Sequence, residues 1–278
     1  MTNFTLLTSN QISAATAAFP GRRQQLALAS IIAGHTVGQM WRLDQDDAPA
    51  FYFLWDKGNN VFYLAGERLT AAGQAATTAF IQREIVPRAL AQRLTYFKAQ
   101  ALPPLAADLP QLLFPGSSLQ LMYSALYIFA DRQPAAVPPV SLPDLQFVPV
   151  DRALLSLTEL GNVEHVRAEI SWMWPSLDHF YAHGLGWAAL TADRLICWCT
   201  AEYMSADRCG IGIATHPAFR QKGVATATAV HFVNSCLAKG LQPHWECDRD
   251  NLPSVRVAEK AGFSHIVDEQ FWAGQFER

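Results

Sequence analysis

The chain has 278 residues, half of them hydrophobic and 16% charged, with a formal net charge of −3. That is length enough for two ordinary domains, each with its own core, and too little positive charge for nucleic acid, where affinity rests on many phosphate contacts. It contains no run of roughly 18 apolar residues of the kind that spans a membrane, the start Met1-Thr-Asn-Phe-Thr-Leu-Leu lacks the pattern of a secretion signal, and five cysteines, an odd count, fit reduced thiols in a cytoplasm.

In chain order, helices are predicted over residues 12–19, 71–83 and 86–98. Among them lies a β-hairpin, with 51–55 and 61–65 flanking the turn Asp56-Lys-Gly-Asn-Asn60. This mixed α/β order fills a first domain over 1–132. Residues 133–143, Gln133-Pro-Ala-Ala-Val-Pro-Pro-Val-Ser-Leu-Pro143, read as an extended, semi-rigid linker, and a second domain covers 144–278. Within it, the aromatic segment 170–181 carries Trp172, Trp174, Asp178 and Tyr181, ring faces and one carboxylate suited to a cationic amine. The same aromatics also suit plain packing between helices and a sheet. Residues 186–190 and 195–203 form a hairpin across Thr191-Ala-Asp-Arg194, leading to a strand over 211–215. Cys197-x-Cys199 is too tight for a C-x-x-C zinc knuckle and the other cysteines follow irregularly, so no metal is expected.

The strand at 211–215 runs into Thr215-His-Pro-Ala-Phe-Arg220-Gln-Lys-Gly223-Val-Ala225 and then a helix whose apolar face is Val230, Val233 and Leu237, stopped by Gly240. A helix start offers backbone N–H groups without intrahelical acceptors and a partial positive charge. Gly223 admits close backbone approach, and Arg220 and Lys222 add charge, so the turn reads as a phosphate cradle or as an ordinary strand-to-helix connection. The spacing fits neither a Walker A loop nor G-x-G-x-x-G. A short strand is expected over 242–247. Asn251-Leu-Pro-Ser254 then caps a helix ending at Gly262, and residues 263–267 and 270–272 read as the last strands.

Arg220-Gln-Lys-Gly223-Val-Ala225 resembles the acyl-CoA pyrophosphate loop of the GNAT acetyltransferases, and Asn251-Leu-Pro-Ser254 with Glu259-Lys-Ala-Gly-Phe263 resembles the second signature of that superfamily. The chain is similar to the double-domain GNAT enzymes grouped with zwittermicin A resistance proteins. The resemblance implies a GNAT fold in the C-terminal half and a degenerate GNAT-like copy in the N-terminal half, within an α/β class with a mixed sheet. The N-terminal half has two roles open to it: a wall of the acceptor pocket, or a homodimer surface.

The resemblance further implies acetyl-CoA as cofactor, held by Ile213, Ala214, Thr215, Arg220, Gln221, Lys222, Gly223, Val224, Ala225, Asn251 and Ser254. It implies direct attack of a small-molecule amine on the thioester. The family often places a base where this chain has Cys209, and an acid Tyr where it has Ala258. Glu202 and Glu246 are therefore the candidate bases, each equally readable as a solvated strand carboxylate. Two further readings stay open: a non-catalytic acyl-CoA sensor, and an enzyme acting on protein N-termini.

Overall fold

The computed structural model describes residues 3–276. The chain divides into two compact units. The first runs to Ile32, resumes over Val37–Tyr123 and takes in the chain from Glu269 on; the second comprises Ala33–Thr36 and Ser124–Asp268. The Pro-rich stretch thus belongs to the second unit, where Ala135 is pinned at both main-chain groups: its N–H donates to Asn234 Oδ1 and its C=O accepts from Asn234 Nδ2, each at 2.9 Å.

In the first unit, β1 (Phe4–Leu6), α1 (Ser9–Ala15) and α2 (Arg22–Ile32) precede the meander β2 (Gly38–Gln45), β3 (Ala48–Asp56) and β4 (Val61–Ala65). Helix α3 (Ala71–Phe80) continues through a π-turn at Ile81–Ile85 into α4 (Val86–Ala91). Then come β5 (Tyr96–Ala101), α5 (Leu109–Leu113) and β6 (Gln120–Ile128). The helix expected over 86–98 is corrected: it ends at Ala91, and Tyr96–Ala101 is a strand parallel to β4, from Val61↔Lys98 to Leu64↔Ala101. Leu94 and Phe97 carry a helical spacing, yet sheet pairing on both sides of β5 overrides it. Phe51, Phe53, Phe62, Phe97, Phe114 and Phe276 share one core here, each worth roughly 1.5–3 kcal/mol of burial.

The second unit repeats this order. Strand β7 (Gln146–Pro149) is followed by α6 (Arg152–Leu155), α7 (Val163–Met173) and α8 (Leu177–His183). The antiparallel run β8 (Gly186–Thr191), β9 (Arg194–Met204) and β10 (Arg208–Thr215) leads to α9 (Val224–Ala238), β11 (Gln242–Asp248), α10 (Leu252–Lys260) and β12 (Ser264–Gln275). The two end strands expected over 263–267 and 270–272 are in fact this single strand, β12. Each unit's sheet is completed by a strand distant in sequence. Residues 272–275 of β12 lie antiparallel to β5 in the first unit, and residues 124–128 of β6 lie antiparallel to β11 in the second.

Candidate active site

Strand β10 pairs with β9 along its length, from Cys209↔Met204 to Thr215↔Cys197. On its other side, the parallel register with β11 stops at Ile211↔Trp245, although β11 continues to Asp248 on its β6 side. Beyond Ile211 the two central strands diverge, and one edge of β10 is left open. His216 N–H donates to Ile196 C=O on β9 at 2.9 Å, and main-chain groups alternate along a strand. The main chains of Gly212 and Ala214 therefore face β9, while those of Ile213 and Thr215 face the gap. Of the two expected backbone donors, Ile213 has its N–H on the open side and Ala214 does not. Thr215 C=O accepts from Arg220 Nε at 3.2 Å, and its hydroxyl donates to Cys197 Sγ.

The open edge leads straight to the loop before α9. Gly223 is the N-cap, at φ +81° with no side-chain cap bond, and Gln221 also has positive φ, at +61°. The first amides of a 15-residue helix, at Val224, Ala225 and Thr226, therefore lack a capping side chain. Arg220, Gln221, Lys222 and Gly223 are exposed, and Lys222 Nζ lies 5.2 Å from the Phe219 ring centroid. An uncapped helix start, two exposed cations and an unpaired strand edge fit a pantetheine arm ending in a pyrophosphate. On the β11 side, Asn251 Oδ1 accepts from Ser254 N–H at 3.4 Å, and Ser254 Oγ accepts from Trp245 Nε1 at 3.1 Å. Both groups serve α10 and its seat on β11.

The first unit has the same order of elements without this opening. Strand β4 stays in register with β5 over Val61 to Leu64, and Leu102 N–H extends the pairing to Leu64 C=O. The helix that follows is capped from within: Thr70 Oγ1 accepts from Gly73 N–H, and Gln45 Oε1 accepts from Thr70 N–H and Oγ1. That half holds a closed sheet and a satisfied helix start.

Glu202 is the extra residue of a bulge. The register between β9 and β10 shifts between Gly210↔Tyr203 and Ile211↔Ala201, and a bulge re-aims the side chain it carries. A Cβ built on Gly212 would lie 2.9 Å from the Glu202 carboxyl carbon, so the carboxylate lies over Gly212 where β10 leaves β11. Glu246 follows Trp245, the last residue paired with β10. Trp245 bonds Ser254 on α10, so alternation turns Glu246 to the opposite face. Ile213 packs with Val224 of α9, so Gly212 likewise turns away from the helices α9 and α10. The two candidate carboxylates thus flank the mouth of the gap on one face. Cys209 is fully buried, and burial, then its bond with Cys236, push its thiol well above the ordinary range. Ala258 is equally buried. Neither position supplies a proton carrier.

The four expected acceptor residues lie in different settings. Trp174 is 1% exposed, with its indole N–H donating to Ala201 C=O at 2.7 Å, so it is core. Asp178 pairs with Arg152 at 2.7 Å, and the Arg152 guanidinium lies over the Tyr181 ring at 4.7 Å. Asp178 and Tyr181 line a surface depression of about 680 Å³ with Arg152 and Arg167. Trp172 is half-exposed. The four make no common wall. What the sequence does offer is Gly212 itself: an isolated glycine inside a strand marks a bulge or a close approach.

Residues 143–269 match the GNAT acetyltransferase family. The uncharacterized N-acetyltransferase YdfB of Bacillus subtilis (strain 168) is 30% identical over 95 residues, 34% of this chain. The match spans only 36% of that relative's length. Among solved structures, a GCN5-related N-acetyltransferase-like protein from Streptococcus suis 89/1591 superposes with a TM-score of 0.66 at 15% identity, covering 96% of this chain and 99% of its own. A tandem GNAT protein from the clavulanic acid biosynthesis pathway gives 0.57 at 14% identity, covering 100% and 99%. A GCN5-related N-acetyltransferase from Sphaerobacter thermophilus gives 0.61 at 13%, covering 99% and 96%. At such identities the likeness is one of fold, and it takes in both halves. The family match itself is confined to residues 143–269, and the GNAT family generally uses acetyl-CoA. Among the described residues, no helix is long and apolar enough to cross a membrane.

Proposed function

We propose that the chain transfers an acetyl group from acetyl-CoA to the amine of a small molecule by direct attack on the thioester. The observation that carries this reading is the register break: β10 loses β11 after Ile211 and ends at an uncapped helix flanked by Arg220 and Lys222. In it, the amides of Val224 and Ala225 with Arg220, Gln221, Lys222 and Gly223 hold the pyrophosphate, and Ile213 N–H, with Thr215 beside it, pairs with the pantetheine arm. Asn251 and Ser254 border the same arm from the β11 side. Bound there, acetyl-CoA supplies an acetyl group activated as a thioester.

Glu202 takes the proton of the attacking ammonium at the gap's mouth, with Glu246 the second carboxylate on that face. The C–N bond forms as the C–S bond breaks, and the departing thiolate receives its proton from solvent, since Cys209 and Ala258 offer none. The narrower likeness to the zwittermicin A resistance group belongs to this proposal. So does a cytoplasmic setting.

The test joins binding to turnover. Acetyl-CoA is expected to raise the melting temperature, and a panel of small amines to release free thiol from it. Stabilisation without release across the panel and across peptide N-termini would replace the enzyme with an acyl-CoA sensor, a reading that Cys209 and Ala258 favour.

A further inference from the structure

Besides Glu246, helix α7 sets a third carboxylate, Glu169, over the face of β9 and β10 that carries Glu202. Thr200 is opposite Gly212 and Trp198 is opposite Ala214, and residues paired across strands share a face. The Trp198 indole N–H donates to Glu169 Oε2 of α7, so this is the face that α7 covers. Glu169 Oε1 lies 3.7 Å from the exposed His165 imidazole, and the Glu169 side chain is 43% exposed. Gly212 lies under the Glu202 carboxylate, and Ala214, partly exposed, floors the space from there to Trp198 with a single methyl group. Because the Glu202 carboxylate lies over Gly212, opposite Thr200, two residues at about 3.3 Å each separate it from the level of Trp198 along β9, a span on the order of 7 Å.

Resting on the acetyl-transfer reading above, we propose that Glu169 determines acceptor specificity: the acceptor carries two cationic groups, one reacting at Glu202 and the other held by the Glu169 carboxylate that the Trp198 indole N–H positions. A carboxylate fixed by an indole N–H and left half in water is suited to receive an ammonium without the penalty of burying an unpaired charge. The buried Trp198 ring, with His165 beside it, acts on the carboxylate only through its N–H. The small floor admits an extended alkyl chain.

The test uses the full chain with alkyl diamines of three to ten methylenes and n-butylamine as the monoamine. In the unaltered protein kcat/KM is expected to rise as the nitrogen–nitrogen span nears the distance between the carboxylates, to about tenfold or more over the monoamine. Glu169→Gln is expected to bring that preference to within about twofold, and Trp198→Phe to reduce it in the same direction. A flat dependence on span in the unaltered protein, or a preference that survives Glu169→Gln, overturns the proposal.

A second measurement needs no turnover: calorimetric binding of a hexamethylene-bridged bis-quaternary ammonium against its mono-quaternary analogue. Its advantage is expected to vanish in Glu169→Gln. Should that hold while no amine releases thiol from acetyl-CoA, dication recognition stands and the acetyl-transfer reading falls. Thiol release without span dependence gives the reverse.

Discussion

The contact between Glu202 and Gly212 is the most exacting feature of the site at the scale of single residues. The carboxylate occupies the space a side chain at 212 would need, and only glycine leaves it there. Its neighbour in the clash is the far end of a flexible side chain, so Gly212→Ala is tolerated by the fold and displaces the carboxylate instead. Under the proposed chemistry, Glu202→Gln is expected to lower kcat by about a hundredfold, the scale of a lost general base, with little change in KM for acetyl-CoA. Gly212→Ala is expected to fall between that variant and the unaltered enzyme, and to add nothing when combined with Glu202→Gln. Steady-state kinetics of the two single variants and the double variant decide it. Additive losses would separate the glycine from the carboxylate and remove the positioning role.

Among the elements, α9 carries the cradle at one end and an ordinary stop at the other, and its two flanking glycines make an internal control. Gly223 has φ +81° with only Val140 Cγ2, at 3.8 Å, near a built Cβ; Gly240 has φ +73° and open space. Valine at either position meets the same left-handed backbone, a penalty of about 1–2 kcal/mol, so both variants are expected to lose a similar few degrees of melting temperature. The acetyl-CoA-induced increment is expected to disappear only in Gly223→Val. An increment retained in that variant would move the pyrophosphate elsewhere.

This helix is also the stretch most legible in the sequence, because its start, apolar face and stop obey local rules, and α10 with its Asn251 cap is legible for the same reason. β5 is not, since Leu94 and Phe97 imitate a helical period and only pairing with distant strands makes 96–101 extended. In the site, the loop residues follow from local chemistry. The acceptor face does not: whether Trp174 lines a pocket or fills a core, and whether Glu202 lies over Gly212, depends on a bulge register that no single segment encodes.

At the scale of the whole molecule, the two halves of the sequence differ from the two units of the fold. The first unit's β5 is bordered by residues 272–275 from the far end of the chain, and the second unit's β11 is bordered by residues 124–128 from before the Pro-rich stretch. Cutting the chain into 1–132 and 144–278 therefore removes one strand from each sheet. It leaves β11, with Trp245 and Pro243 near its start, as an unpaired edge beside the very gap that holds the site. An uncovered, partly apolar edge favours aggregation over folding. Each fragment expressed alone is expected to be insoluble or to lack a cooperative melting transition, and coexpression is expected to restore both a soluble complex and acetyl-CoA-induced stabilisation. A fragment 144–278 that melts cooperatively and binds acetyl-CoA unaided would show that β6 is dispensable to the cradle. The role of the N-terminal half would then lie outside completion of the second sheet.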